Sequence, residues 1–175
     1  MKRHVFVSVA AALLVGSAQL KAQEPVVGVA DPEALFHSKN PTLEKNLQAA
    51  YHIQKNLLEC REWDKADQWL TERYIQHNPN AKSGRDGVVY YFTQVLKFKP
   101  KPCPEKMESK IVAVVAQGDR VIVVTPREYK NPTDPSKSYS TTWFDMWRFV
   151  DGKADEHWDP AQLSPPPAAP PPAAK

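Results

Sequence analysis

Residues 142–162, TWFDMWRFVDGKADEHWDPAQ, decide how this chain is read. Two runs of strand-forming residues meet at Asp151-Gly152, a dipeptide suited to a tight hairpin turn. Asp145, His157 and Asp159 stand among Trp143, Trp147, Phe149 and Trp158. Aromatic surroundings desolvate carboxylates and imidazoles, and so move them toward the neutral range that acid–base chemistry needs.

Side chains alternate across a strand, so register fixes which of these groups share a face. A two-residue turn sets Val150 opposite Lys153 and Asp145 opposite Trp158, with His157 and Asp159 on the other side. A three-residue loop, Val150-Asp151-Gly152, with Gly152 as a left-handed bulge, pairs Phe149 with Lys153, Asp145 with His157 and Trp143 with Asp159. Turn chemistry favours the first. The second is preferred because Arg148 and Glu156 then face solvent, while Trp143, Asp145, Trp147, His157 and Asp159 line one face. Taken blandly, Asp145–His157 is a cross-strand pair contributing about 0.2–1 kcal/mol, and Asp159 ends a strand before Pro160.

Upstream, residues 110–116 and 120–125 are β-branched runs around Gln117-Gly118-Asp119, a hairpin signal. Residues 126–137 hold Pro126, Pro132 and Pro135 and read as a long loop. Further upstream the period is helical. Leu43, Leu47, Ala50, Ile53 and Leu57 mark a helix opened by Pro41-Thr42. A second helix is expected over 64–74, capped by Asp64, and a third over 84–98. Helices followed by hairpins give an α+β fold with a mostly antiparallel sheet. The segment Tyr74-Ile75-Gln76-His77-Asn78-Pro79 leaves the second helix with a phenol, an imidazole and an amide. It is a plain helix end unless it folds beside the last hairpin.

The ends differ in composition. Residues 1–22 have a positive start, an apolar run and small residues near Ala18 and Ala22, the layout of a signal peptide cut after one of them. The apolar run is shorter than the roughly 20 residues that cross a bilayer. The expected division is therefore a signal peptide at 1–22, a linker at 23–40, a folded domain at 41–162 and a Pro/Ala-rich tail at 163–175. Cleavage implies an exported, periplasmic or secreted protein with no stable membrane insertion. The formal charge is +3, and losing Lys2, Arg3 and Lys21 leaves equal numbers of basic and acidic residues. A neutral domain gives no electrostatic basis for nucleic-acid binding. Two cysteines in an oxidising compartment predict a Cys60–Cys103 disulfide.

The quoted motifs, together with Phe144-Asp145-Met146-Trp147-Arg148-Phe149 and Glu156-His157-Trp158-Asp159, resemble the SnoaL-like proteins, relatives of the polyketide cyclases. The resemblance covers about residues 43–162. It implies the cone-shaped nuclear transport factor 2-like fold, with three N-terminal helices on a curved sheet. It also implies aldol-type ring closure without metal or cofactor. It places the catalytic acid at Asp159, with Asp145 and His157 beside it and His77 and Asn78 at the pocket mouth. The export signal, the long 126–137 loop, Ala154 and Pro160 depart from the family pattern.

Three functions compete. An acid–base enzyme on a small hydrophobic carbonyl compound would use Asp159 as base, His157 to polarise or shuttle the proton and Asp145 to hold its tautomer. Tyr74, His77, Asn78, Trp143 and Trp147 would position the substrate. A binding module would hold an apolar ligand in the same pocket. A dimerisation module would pair its open sheet face with a second copy as a homodimer. Asp145, His157, Asp159 and His77 lack zinc-type spacing, so no metal site is expected.

Overall fold

Asn40 starts the first helix. Its side-chain oxygen accepts from the N–H groups of Thr42 and Leu43 at 3.0 and 3.2 Å, and Pro41 takes the position where a missing N–H costs nothing. The computed structural model describes residues 24–163. The expected signal peptide and residues 164–175 of the expected tail lie outside the described residues. Helix α1 (Pro41–His52) runs on as a π-helical stretch, Ile53–Glu59. A 3-10 turn (Trp63–Lys65) and the one-turn helix α2 (Ala66–Trp69) follow. Then come strand β1 (Leu70–Gln76) and helix α3 (Arg85–Tyr90), which continues as a π turn to Val95. Strands β2 (Ala113–Gln117), β3 (Arg120–Lys130), β4 (Ser138–Val150) and β5 (Lys153–Trp158) complete one sheet.

The sheet order is β1-β5-β4-β3-β2, antiparallel throughout except where β1 runs parallel to β5. The helices cover one face, and the core of Phe36, Leu47, Leu57, Leu70, Trp147 and Phe149 lies between. The stretch expected as a linker belongs to this domain: Phe36 is wholly buried, and Glu33 accepts from Lys55, Tyr51 and the Met107 N–H.

Three local expectations are corrected. The second helix stops at Trp69, and residues 70–76 form strand β1. Leu70 pairs with Ala154 but Ile75 pairs with Glu156, so β1 bulges between them. That bulge buries Leu70 and Tyr74 four residues apart, which imitates a helix in the sequence. The long loop is mostly strand. β3 and β4 pair as far as Lys130 and Ser138, and Asn131 closes the turn by accepting from Thr133 and Asp134. Pro126 fits because its nitrogen faces the side where β2 has ended: Val112 N–H to Val124 C=O is the last bond there.

The last hairpin follows neither expected register throughout. Its turn is the two-residue one, Val150 opposite Lys153, with Asp151 and Gly152 at φ 51° and 80°. Asp155 is then an extra residue, since Phe149 pairs with Ala154 but Arg148 with Glu156. The bulge restores the facing of the three-residue reading by another route. Trp147 pairs with His157, so the expected pairs Phe149–Lys153, Asp145–His157 and Trp143–Asp159 do not form. Turn chemistry set the loop, and Arg73, Arg148 and Thr71 hold the displaced Asp155 carboxylate.

Candidate active site

The sheet's covered face carries Val121, Val123 and Thr125 opposite Trp147, Asp145 and Trp143. His157 joins them as the partner of Trp147. Along β1 and its continuation, Tyr74, Gln76 and Asn78 reach the same cavity. That cavity, about 680 Å³, lies between sheet and helices. The helical side presents Leu57, Trp63, Val88, Phe92 and Phe98. The ring of Trp63 stacks on Phe92 with centroids 4.0 Å apart.

At the sheet side a connected polar group forms. Asp145 Oδ1 accepts from Trp143 Nε1–H at 3.0 Å and meets His157 Nε2 at 3.1 Å. His157 Nδ1 lies 2.8 Å from Gln76 Oε1. Gln76 Oε1 also accepts from Asn78 N–H at 3.0 Å, which identifies that atom as the oxygen. Nδ1 of His157 is therefore a donor, and Nε2 is the nitrogen that shares a proton with Asp145. Asp159 Oδ2 accepts from Asn78 Nδ2 at 2.7 Å, and Oδ1 from Ala161 N–H at 2.9 Å. Asp145 and His157 are 9% and 6% exposed, so bulk water does not screen their pair. One ligand atom from each of Asp145, His157 and Asp159 lies within 4.8 Å of the others. That N/O/O set could coordinate a divalent cation only if the proton between Nε2 and Asp145 Oδ1 were lost.

Trp147, 2% exposed, stacks against the imidazole at 5.2 Å and donates from Nε1 to the Tyr74 hydroxyl at 3.1 Å. Burial pushes the Tyr74 phenol well above its ordinary pKa, so it stays protonated. Having accepted from Trp147, that hydroxyl keeps its own proton to donate.

The structure thus brings together Asp145, His157, Asp159, Tyr74, Asn78, Trp143 and Trp147. It does not bring His77. Its Nε2 lies 2.9 Å from Glu156 Oε1 and its ring stacks on Trp158 at 5.1 Å, on the opposite side of the sheet. The cause is strand alternation: in an extended chain His77 points away from its neighbours Gln76 and Asn78. Reading the segment as a helix end hid this. It also hid Gln76, which the period-two rule would have found. Thr125, at the end of the expected strand, and Arg127 and Tyr129, from the ribbon expected as a loop, line the cavity. The Arg127 guanidinium lies 4.8 Å from the centre of the Trp143 ring.

A family model described as a SnoaL-like domain matches residues 54–157. The chain belongs to the SnoaL-like domain family. The family match includes Tyr74, Gln76, Asn78, Trp143, Asp145, Trp147 and His157, and Asp159 lies two residues past its end. The α+β architecture expected of a SnoaL-like protein, helices on a curved and mostly antiparallel sheet, is the one found. No curated protein matches the chain. Among solved structures, a candidate polyketide cyclase of Acidithiobacillus ferrooxidans is 15% identical, covers 70% of this chain and 89% of its own, and has a TM-score of 0.49. A candidate polyketide cyclase of Bacillus cereus is 18% identical over 80% and 87%, also at 0.49. An NTF2-like protein of unknown function from Burkholderia pseudomallei is 17% identical over 67% and 91%, at 0.47.

Proposed function

We propose that this SnoaL-like protein is an exported, cofactor-independent acid–base enzyme of the cyclase or isomerase type. Its substrate is a small hydrophobic carbonyl compound held in the aromatic cavity. The observation that carries the reading is the grouping of Asp145, His157 and Asp159 at the polar side of a 680 Å³ cavity with aromatic walls. Export is supported by the signal-like residues 1–22 and by the Cys60–Cys103 disulfide.

Asp159 takes a proton from the carbon beside the substrate carbonyl. Each of its oxygens holds one donor, so each keeps a lone pair for the substrate. The C–H electron pair moves to the carbonyl oxygen, giving an enolate. Tyr74 donates a hydrogen bond to that oxygen, and the proton shared by His157 and Asp145 is at hand to neutralise it. The enolate carbon then attacks a second carbonyl and closes a ring, or is reprotonated at another carbon. Asp159 returns its proton in either case, and a proton lent to the enolate oxygen goes back to the His157–Asp145 pair as the carbonyl re-forms, so no atoms or electrons are left over.

Deuterium exchange at the α-carbon of 1-tetralone in D₂O tests the reading. The wild-type protein accelerates exchange, and Asp159→Asn lowers it by about 10²–10⁴ while tetralone still binds. Equal exchange by the two proteins removes Asp159 as the base. Binding without any accelerated exchange leaves a small-molecule-binding module. The export arm is read by N-terminal sequencing of the protein from its native source: a start at Gln19 or Gln23 is expected, and a start at Met1 refutes it.

A further inference from the structure

The inner face of the β3–β4 ribbon continues beyond Trp143. Arg127 stands opposite Thr141, between the pairs Thr125–Trp143 and Tyr129–Tyr139. Arg127 and Tyr129 line the cavity yet are exposed, so they stand at its mouth. Among the described residues that line the cavity, Arg127 alone carries a permanent positive charge.

No carboxylate holds that charge. The other arginines of the sheet are ion-paired, Arg73 and Arg148 with Asp155 and Arg120 with Asp119, whereas Arg127 makes no ion pair among the described residues. Its inner-face neighbours are hydroxyls and rings. Glu128, next along the strand, points to the opposite face. The cavity's own acids are engaged elsewhere, Asp145 by Trp143 and His157, Asp159 by Asn78 and the Ala161 N–H. The guanidinium rests on the Trp143 ring, a contact that leaves its N–H edges free. The same indole donates from Nε1 to Asp145, so one side chain spans from the cation to the acid–imidazole group.

We propose that Arg127 binds a carboxylate of the substrate, which makes the carbonyl compound a keto acid. This rests on the cavity being the site of the proposed reaction and names the class of its substrate. The planar fork of N–H donors matches the two oxygens of a carboxylate, and one negative charge meets one cation. The apolar body lies along the Trp143 indole, and the ketone reaches Asp159 and Tyr74.

The test compares 1-tetralone with 1-tetralone-4-carboxylate, the same bicycle with an acid on the ring carbon opposite the ketone, and with the methyl ester of that acid. Equilibrium dialysis at neutral pH and low salt should show wild-type protein binding the carboxylate about tenfold more tightly than tetralone, the gain from one charge-assisted contact. The ester should bind like tetralone, and added salt should shrink the preference. In Arg127→Gln the ratio of the two affinities falls toward one, in Arg127→Lys part of it remains, and in Arg120→Gln, which removes an equal charge from the other end of β3, it stays. The ratio is taken within each protein, so a variant that merely loosens the cavity weakens both ligands and leaves it unchanged. A full preference in Arg127→Gln overturns the subsite, as does an ester bound as tightly as the acid or a wild-type ratio near one. If tetralone binds and exchanges its α-proton while the acid has no advantage, the subsite alone is lost. If none of the three compounds binds, the cavity reading falls with it.

Discussion

At the residue scale, the chemistry turns on which nitrogen of His157 is committed. Gln76 Oε1 takes the Nδ1 proton because it is fixed as an oxygen by Asn78 N–H, and this leaves Nε2 for Asp145. Gln76 is a positioning residue: it acts through the ring and need not touch the substrate. Gln76→Leu frees the ring to take the other tautomer. Exchange of 1-tetralone should fall by about 10² or more, by analogy with tautomer loss in a histidine triad, with little change in tetralone affinity. Gln76→Glu, which restores an acceptor, should recover part of the rate, whereas a purely structural role would show no such difference between the variants. The sequence shows the acids and the tryptophans of this site plainly, since period-two alternation in residues 143–147 puts them on one side. It does not show Gln76, because the spacing of its neighbours imitates a helix.

At the element scale, two bulges meet. The extra residues of β1 include Thr71 and Arg73, and the extra residue of β5 is Asp155. Thr71 donates to Asp155 Oδ1 at 2.7 Å, and Arg73 and Arg148 both bind the same carboxylate. Without that clamp the parallel strand would have little to hold it at its bulged end, and β1 carries Tyr74 and Gln76 into the cavity. The Arg73 guanidinium, with help from Thr71 and Arg148, holds the Asp155 carboxyl down at about 2 from 3.8. A folded-state pKa below the unfolded one means stability that is present above about pH 4 and lost as pH falls through about 2. The contribution is on the order of 2 kcal/mol. Denaturant unfolding between pH 5 and pH 2 should show this loss. Asp155→Asn, which cannot titrate, should be less stable at neutral pH and should flatten the acid slope; an unchanged slope would show that the clamp contributes nothing. Bulges escape sequence reading because each looks like an ordinary residue until its partner strand is known. The hairpin turn was legible in Asp151-Gly152, whereas the bulge at Asp155 depends on Arg73 and Thr71, more than 80 residues away.

At the scale of the whole molecule, the order of helices then hairpins, the helical start at Pro41-Thr42 and the Cys60–Cys103 pairing were all readable, because each rests on local composition or on a count of two. The cavity was not, since its helical wall is made by contacts between segments that share no pattern. The disulfide bears on that wall. Cys60 ends the π-helical continuation of α1, and Cys103 follows the segment after α3, so the bridge ties together the two helical units that carry Leu57, Phe92 and Phe98. Closing a separation of 43 residues contributes about 4 kcal/mol in the chain-entropy model. Cys60 is wholly buried and Cys103 is an exposed residue, so the bridge pins the buried end of the first helical unit to the surface segment that follows the second. A protein carrying Cys60→Ser and Cys103→Ser together should lose up to about 4 kcal/mol in denaturant unfolding. Because the sheet is held by its own ladders, the loss should fall first on the helices: amide exchange should quicken in residues 53–63 and 91–98 before it does in β3 and β4. Affinity for 1-tetralone should weaken in step with that loosening. Uniform exchange across sheet and helices would show instead that the bridge secures the fold as one unit and leaves the cavity wall to its own packing.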